Sequence, residues 1–437
     1  MKWKEPACLF GNKMNDKQYF LNRLNKINLT GCEDVKVGDI LYYVYSYRAK
    51  NRFIALLVGI FLIIKNLLLE TIEFEKKGDP DTLFLFSNSY RVRKDLKKSF
   101  DRVVTLTNNY IYIRPFYGIK IKLSNLHYLQ YLIIWNKQLR KDLPSVFDRL
   151  YYSAFLLDAV YSYDTFIKYI SNEKIDIKRV VCLCDVQMID SLFVQKFNSL
   201  GKDTITLQHG TMCSTTNTWT FQGSYSKLFI ANSIFTVSEA KILDYHGTMI
   251  IGGLFSFINN QPEIKPLCKK IATIGVLVDG DSMQQDNLRM IKSLTRYCNK
   301  YGKKLLVRLH PSCNLMFYKN EFRKNNNIEF YKTEISLNHF FDLIDIAVIR
   351  NSTTLIEAVQ YGVPTYIIND SQQVMDVYKN VNMLKFSDEE EFHKIADEKS
   401  LDEIKQDLIQ AREYFGCFEN VTDRYKQIFC DLGIKLG

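Results

Sequence analysis

The chain has 437 residues, 47% hydrophobic and 24% charged, a balance that excludes a disordered or fibrous protein and allows two or three domains with large cores. Its net charge of +10 is spread along the chain, which suits anionic ligands such as nucleotide diphosphates, or an anionic bilayer surface. No zinc-ligand spacing, RNP-like aromatic motif or basic helix accompanies that charge, so nucleic acid is not expected as a partner. The 27 tyrosines and 29 phenylalanines fit contact with sugars or a membrane, although a plain aromatic core accounts for most of them. Ten cysteines are scattered, and the only close pair, Cys182 and Cys184, alternates faces of a strand as core packing does. The first twenty residues lack the apolar centre of a secretory signal, so a reducing cytoplasm with free thiols is expected.

In chain order, the first notable segment is "RFIALLVGIFLIIKNLLLETIEF" at 52–74, apolar from Phe53 to Leu69 except at Lys65 and Asn66. It falls short of the roughly 20 residues of a spanning helix. A buried core helix is the first reading, docking on a membrane surface the second and a span the third. "TLFLFSN" and "RVVTL" read as strands, with no order assigned to them. From about residue 178 strands and helices alternate, which implies parallel strands with crossover helices. "RVVCLC" is a strand, residues 185–201 a helix closed by Gly201, and "DTITL" and "KLFIAN" the next strands; "SEAKILDYHG" is a capped helix and "TMIIGG" a further strand. "LFSFINNQPEIKPLCKK" breaks the pattern with two prolines, and a second alternating series follows. "IATIGVLVDG", "KLLVRLHP", "DIAVIRN" and "VPTYIIN" are its strands, with helices at 284–301, over "STTLIEAVQYG" and twice after Leu401. The expected fold is α/β, with two Rossmann-like doubly wound domains at 1–254 and 271–437, a linker at 255–270 and a cleft between facing strand ends.

Four strand ends carry polar groups. Gln208, His209, Gly210 and Thr211 follow "ITL"; His310 and Pro311 follow the strand that ends near Arg308; Asn351, Ser352 and Thr353 follow Arg350; and "VDGDS" surrounds Gly280. Each also has an ordinary reading. His209 or His310 can close a turn, Ser352 or Thr353 can be a plain helix cap, and Glu357 can be a surface charge rather than an acceptor for ribose hydroxyls. Asp279 and Asp281 form an Asp-x-Asp pair of the metal-holding kind, but a solvated turn is the preferred reading, and no metal is expected. His246, before a glycine at a helix end, reads as helix termination.

Taken together these motifs resemble bacterial GT-B glycosyltransferases that build surface polysaccharides: the polysialyltransferase-like, Kdo-transferase-like and CDP-glycerol glycerophosphotransferase-like groups. The resemblance covers residues 180–370. It implies that His310, Pro311, Ser352 and Thr353, with Glu357, Asn351, Arg308 and Gly280, hold a nucleotide-sugar donor, CMP- or UDP-linked. It implies that His209 is the general base of an inverting transfer, with Gln208 orienting it and Gly210 and Thr211 beside the acceptor. The acceptor would be a glycan or lipid-linked glycan, the reaction metal-independent, no separate cofactor needed, and the enzyme cytoplasmic or peripheral at the inner face of the plasma membrane. Arg350-Asn351-Ser352-Thr353 stands where the glycerophosphotransferases carry aspartate-tyrosine-serine-serine, and Asp279-Gly280-Asp281 differs from the acidic motif of sialyltransferases. A polyol-phosphate transferase, a nucleotide-sugar 2-epimerase and a non-catalytic nucleotide-sugar-binding protein are the alternatives.

Overall fold

The structure, a computed structural model, describes residues 22–41, 44, 52–87, 94–121, 123–185, 188–209, 212, 226–245, 247–260, 264–268, 270–352, 354–369, 377–379, 381 and 384–437. Two sheets organise it. The first has seven strands: β1 (Leu69–Lys77), β2 (Thr82–Leu85), β3 (Tyr110–Ile121), β4 (Arg179–Cys182), β5 (Asp203–Leu207), β6 (Leu228–Ala231) and β7 (Thr248–Ile251). The second has six: β8 (Thr273–Leu277), β9 (Lys304–Arg308), β10 (Ile328–Tyr331), β11 (Ile346–Ile349), β12 (Thr365–Ile368) and β13 (Lys385–Phe386). All described pairings are parallel except β1 with β3. The short central strands are buried at every position in β2, β4, β6, β11 and β12, because helices cover both faces of each sheet. The expected pair of doubly wound α/β sheets is present.

Strand order places the crevices. In the first sheet the order is β1-β3-β2-β4-β5-β6-β7, so the chain leaves β2 towards β3 and then crosses to β4 on the other side. In the second the order is β10-β9-β8-β11-β12-β13, and the same reversal separates β8 from β11. Diverging loops open a crevice at the carboxyl ends of such strand pairs, where open α/β sheets bind ligands. Ser87 and Asp185 follow β2 and β4; Asp279 and Asn351 follow β8 and β11. Cys182 packs in the core on one face of the first sheet and Cys184 in the core on the other, as their alternation requires.

Three sequence expectations are corrected. "RVVTL" lies mostly in the helix Lys94–Val104, where Leu96, Phe100, Val103 and Val104 face the core at helical spacing and override the β-branched local preference. The helix expected from Ser238 begins earlier, at Ile234–Ile242, capped by Ser233 Oγ accepting from Thr236 N–H. The apolar segment forms the helix Arg52–Leu68, but only one face of it is a core face. Gly59 brings it against Tyr151 of the helix Val146–Glu173, where an added Cβ would stand 3.4 Å from the Tyr151 Cα, and Lys65 pairs with Asp158 at 3.1 Å inside. Among the described residues no helix is long and apolar enough to cross a membrane.

The two halves are tied together at their strand ends. Phe235, from the helix after β6, packs among Leu277, Ile349, Tyr378 and Phe415 of the second half. The chain then returns: the helix Val421–Asp431 covers the first sheet with Val421, Tyr425, Ile428 and Phe429, although the sequence reading grouped it with residues 271–437. Gly416 allows that return. Its φ is +72°, and a Cβ there would lie 2.0 Å from the Asn232 carbonyl oxygen.

Candidate functional site

At the end of β5, His209 is half-buried and its Nδ1 lies 2.8 Å from the Leu183 carbonyl oxygen, at the end of β4. A carbonyl only accepts, so Nδ1 carries the proton, and in the neutral ring Nε2 is the basic nitrogen. That is the ring state a proton acceptor needs. Leu183 fixes it by a backbone contact that side-chain reading of the sequence missed. Gln208, expected to orient the ring, is fully buried and does something else. Its Oε1 accepts from Asn232 N–H at 2.7 Å and its Nε2 donates to Thr236 Oγ1 at 2.9 Å, bracing the turn from β6 into the Ile234–Ile242 helix. Gly210, Thr211 and His246 lie outside the described residues.

Two buried acids sit at the β2–β4 crevice beside this strand end. Asp185 Oδ2 accepts from Ser226 N–H at 3.0 Å. Asp190, in the first turn of the helix Met188–Ser199, is 3.4 Å from Ser87 Oγ through Oδ2, and its enclosed Oδ1 has no hydrogen-bond partner. Burial raises the Asp190 pKa well above its ordinary value, and the neighbouring Asp185 pushes the same way. Neither acid carries a motif that would mark it in the sequence.

His310 has the opposite polarity. Exposed after β9, its Nδ1 accepts from Ser312 N–H at 3.1 Å and lies 2.8 Å from Ser312 Oγ. A backbone N–H only donates, so Nδ1 is the bare nitrogen and Nε2 carries the proton. The ring therefore presents a donor, which is what a phosphate oxygen requires. Ser312 Oγ also accepts from Asp281 N–H at 3.0 Å, locking the 278–282 turn to the "HPS" turn. Gly280 lies close by, where a Cβ would stand 3.4 Å from Ser312 Oγ and 3.7 Å from His310 Nδ1. Asn287 staples the same turn, accepting from Asp279 N–H at 3.0 Å and donating to the Asp279 carbonyl at 2.9 Å. Pro311 is exposed beside His310.

Beneath the β8–β11 crevice Arg350 is fully buried, 4.0 Å from Asp286. Asp279 is pushed up to about 6 by burial, against the pull of Arg350. Asn351 Oδ1 accepts from Val377 N–H at 2.9 Å. At the start of the helix Thr354–Tyr361, Ser352 Oγ accepts from Thr354 N–H at 3.4 Å and lies 2.6 Å from Thr354 Oγ1, while the Ser352 carbonyl accepts from Tyr378 Oη at 2.8 Å. Thr353 lies outside the described residues. Glu357 is not the surface charge of the ordinary reading. Its Oε2 is enclosed without a partner, and burial raises its pKa to about 7. Arg308 is turned to another task, donating to the Ile335 and Ser336 carbonyls at 3.0 and 3.4 Å.

His310, Gly280 and Ser312 are thus brought together directly, and Ser352 joins the first half through Tyr378 and Phe235, on the helix that Gln208 braces. Asp279 and Asp281 flank Gly280, one half-buried and one exposed. Among the described residues no group of three or more His, Cys, Asp or Glu is arranged to hold a metal.

No family model matches the chain, and no curated protein does. Among solved structures it is similar to the S. aureus MnaA–UDP co-structure, with 12% identity over 81% of this chain and 97% of that one and a TM-score of 0.48. It is also similar to the apo form of the lipopolysaccharide outer core galactosyltransferase WaaB (12% identity, 80% of this chain and 99% of that one, TM-score 0.43). An O-GlcNAc transferase mutant from Thermobaculum terrenum matches at 10% identity over 91% of this chain and 76% of that one, with a TM-score of 0.44. Likenesses at these levels carry no inference about chemistry.

Proposed function

We propose that the chain is a GT-B glycosyltransferase that moves a sugar from a nucleotide-activated donor to a hydroxyl of a bacterial surface glycan. The observation that carries this reading is the opposite ring polarity of two strand-end histidines, His209 basic at Nε2 and His310 protonated at Nε2. Sugar transfer needs both. The acceptor oxygen attacks the anomeric carbon, its proton passes to His209 Nε2, and the bond to the donor phosphate breaks with its electrons on the phosphate. His310 Nε2–H and the amino terminus of the Thr354–Tyr361 helix, with Ser352, meet the departing charge. Displacement by direct attack inverts the anomeric centre. The enclosed Glu357 carboxyl suits the ribose hydroxyls of a CMP- or UDP-linked donor.

In this reading residues 1–254 form the acceptor side and residues 271–437 carry the donor. The acceptor is a glycan or lipid-linked glycan of capsule or lipopolysaccharide type, and the enzyme works peripherally at the inner membrane face. Incubation with a panel of nucleotide sugars tests it, reading slow nucleotide release and the sugar product. Release supports a transferase, an epimerised sugar replaces it with an isomerase, and binding without turnover replaces it with a sensor.

A further inference from the structure

One surface of the first half has no part in the histidine chemistry. The Arg52–Leu68 helix buries Leu62, Lys65, Asn66 and Leu67 but turns Leu57, Ile60, Phe61 and Ile64 to solvent, at the i, i+3, i+4, i+7 spacing of a single stripe. Phe61 is 59% exposed and Ile64 50%. A second apolar edge lies on the helix Leu129–Gln138, where Leu129 is exposed and Ile133 is 61% exposed. Both helices pack on the long helix Val146–Glu173, and the 3-10 turn leading into the second touches the first, with Asn125 Nδ2 donating to the Asn66 carbonyl at 3.1 Å. Large apolar side chains grouped in this way on an otherwise charged protein mark a surface that meets something.

The charge around this surface selects the partner. From Ile40 to Leu69 there is no Asp or Glu, and from Arg102 to Lys141 there is again none, against seven Lys or Arg in the second stretch. Lys137, Arg140 and Lys141 are exposed and continue the line of Leu129 and Ile133 along the helix and just past its end. An apolar stripe flanked by cations, on stretches of chain that carry no carboxylates, matches an anionic lipid leaflet, into which the apolar side chains insert while the cations meet headgroup phosphates. A second copy of the chain matches it poorly, because a symmetric pairing sets cation against cation on a protein of net charge +10.

We infer that the exposed faces of the helices Arg52–Leu68 and Leu129–Gln138, with Lys137, Arg140 and Lys141, form a docking surface for anionic lipid. The inference stands independently of the transfer reading, because its measurement uses no substrate. Full-length protein is floated with vesicles of phosphatidylcholine alone and of phosphatidylcholine with phosphatidylglycerol, at low and high salt. Binding is expected to the anionic vesicles at low salt, weakening as salt rises. Replacing Lys137, Arg140 and Lys141 by glutamine should lower low-salt partitioning about 100-fold, at about one kilocalorie per mole for each cation. Phe61→Ser with Ile64→Ser, at exposed positions that leave the core intact, should abolish the salt-resistant remainder, with unchanged circular dichroism as the control. Absence of binding to anionic vesicles at low salt overturns the inference, as does binding that neither set of substitutions alters. So does a concentration-dependent dimer that the Phe61 and Ile64 substitutions dissolve, since the face would then be a protein interface.

Discussion

His209 and His310 occupy corresponding places, each just past the carboxyl end of a parallel strand, yet their surroundings give them opposite chemistry. His209 meets a carbonyl supplied by the neighbouring strand, 26 residues earlier in the chain, and its outer nitrogen is left basic. His310 meets the N–H of a residue two positions on, and its outer nitrogen is left protonated. The same side chain on the same kind of scaffold thus carries its proton on Nδ1 in one half and on Nε2 in the other. The group opposite Nδ1 decides between these tautomers, and a histidine-to-histidine comparison without it is blind to the difference.

The strongest way to break this comparison is His209→Ala. Loss of a positioned general base should cut turnover about 100- to 10,000-fold while nucleotide affinity stays near normal, because the interaction exists only in the transition state. Turnover with a competent acceptor and calorimetric nucleotide binding check it, and near-normal turnover would reduce His209 to a turn residue. His310→Ala should instead weaken nucleotide binding about 10- to 100-fold, the worth of a charge-assisted hydrogen bond, and lower turnover with it. Equal nucleotide affinity in the two variants erases the division of labour.

Glu357 sharpens the picture of the second half through stability. Its folded pKa, about 7, lies above the ordinary glutamate value of 4.5, so between those values the folded state holds more protons than the unfolded one. Stability contributed by this group therefore falls as pH rises from about 4.5 to 7, and the loss persists above 7. Glu357→Gln lacks that loss, so it should be more stable than the natural protein at pH 8, by about 1–3 kcal/mol, and equal to it near pH 4.5. Thermal melts at the two pH values measure this.

Ser312→Ala has a smaller effect. The backbone N–H that sets the His310 ring remains, and only the hydroxyl is lost, so nucleotide affinity should fall about two- to tenfold. The smallest expected effect is that of EDTA. The helix terminus, His310 and Ser352 can meet the phosphate charge, so turnover should be unchanged by chelation, and loss restored by magnesium or manganese would make Asp279 and Asp281 ligands.

Much of the scaffold was legible because buried parallel strands are continuous apolar runs and because Gly201 and Gly302, at φ +72° and +65°, close their helices where only glycine sits easily. The misses have physical causes. "RVVTL" looks like a strand to local preference, but Leu96, Phe100, Val103 and Val104 share a helical face that only the whole segment reveals. Ser238 with Glu239 imitates a helix start, whereas the cap is Ser233 and Glu239 is buried. In the second half "HPS" is local, so the Ser312 contact was within reach of the sequence. The Leu183 contact to His209, the buried pair Asp185 and Asp190, and the diversion of Gln208 to Asn232 and Thr236 depend on how strands neighbour one another, which no short motif records.

The return of the last helix to the first sheet has a consequence for synthesis. One face of that sheet is closed by Val421, Tyr425, Ile428 and Phe429, while its final strand ends at Ile251. From 251 to 431 is 180 residues, which a ribosome adding about 5–20 residues per second takes about 9–36 s to deliver. For that interval the nascent first half has its strands and the helix Lys94–Val104 but not its last helix, and Phe84 lacks the Phe429 ring that packs 6.2 Å from it. The second half must emerge and the chain must pass Gly416 before the first can finish. This order of assembly predicts that a chain truncated before residue 421, with that apolar face uncovered, aggregates more readily than the whole chain.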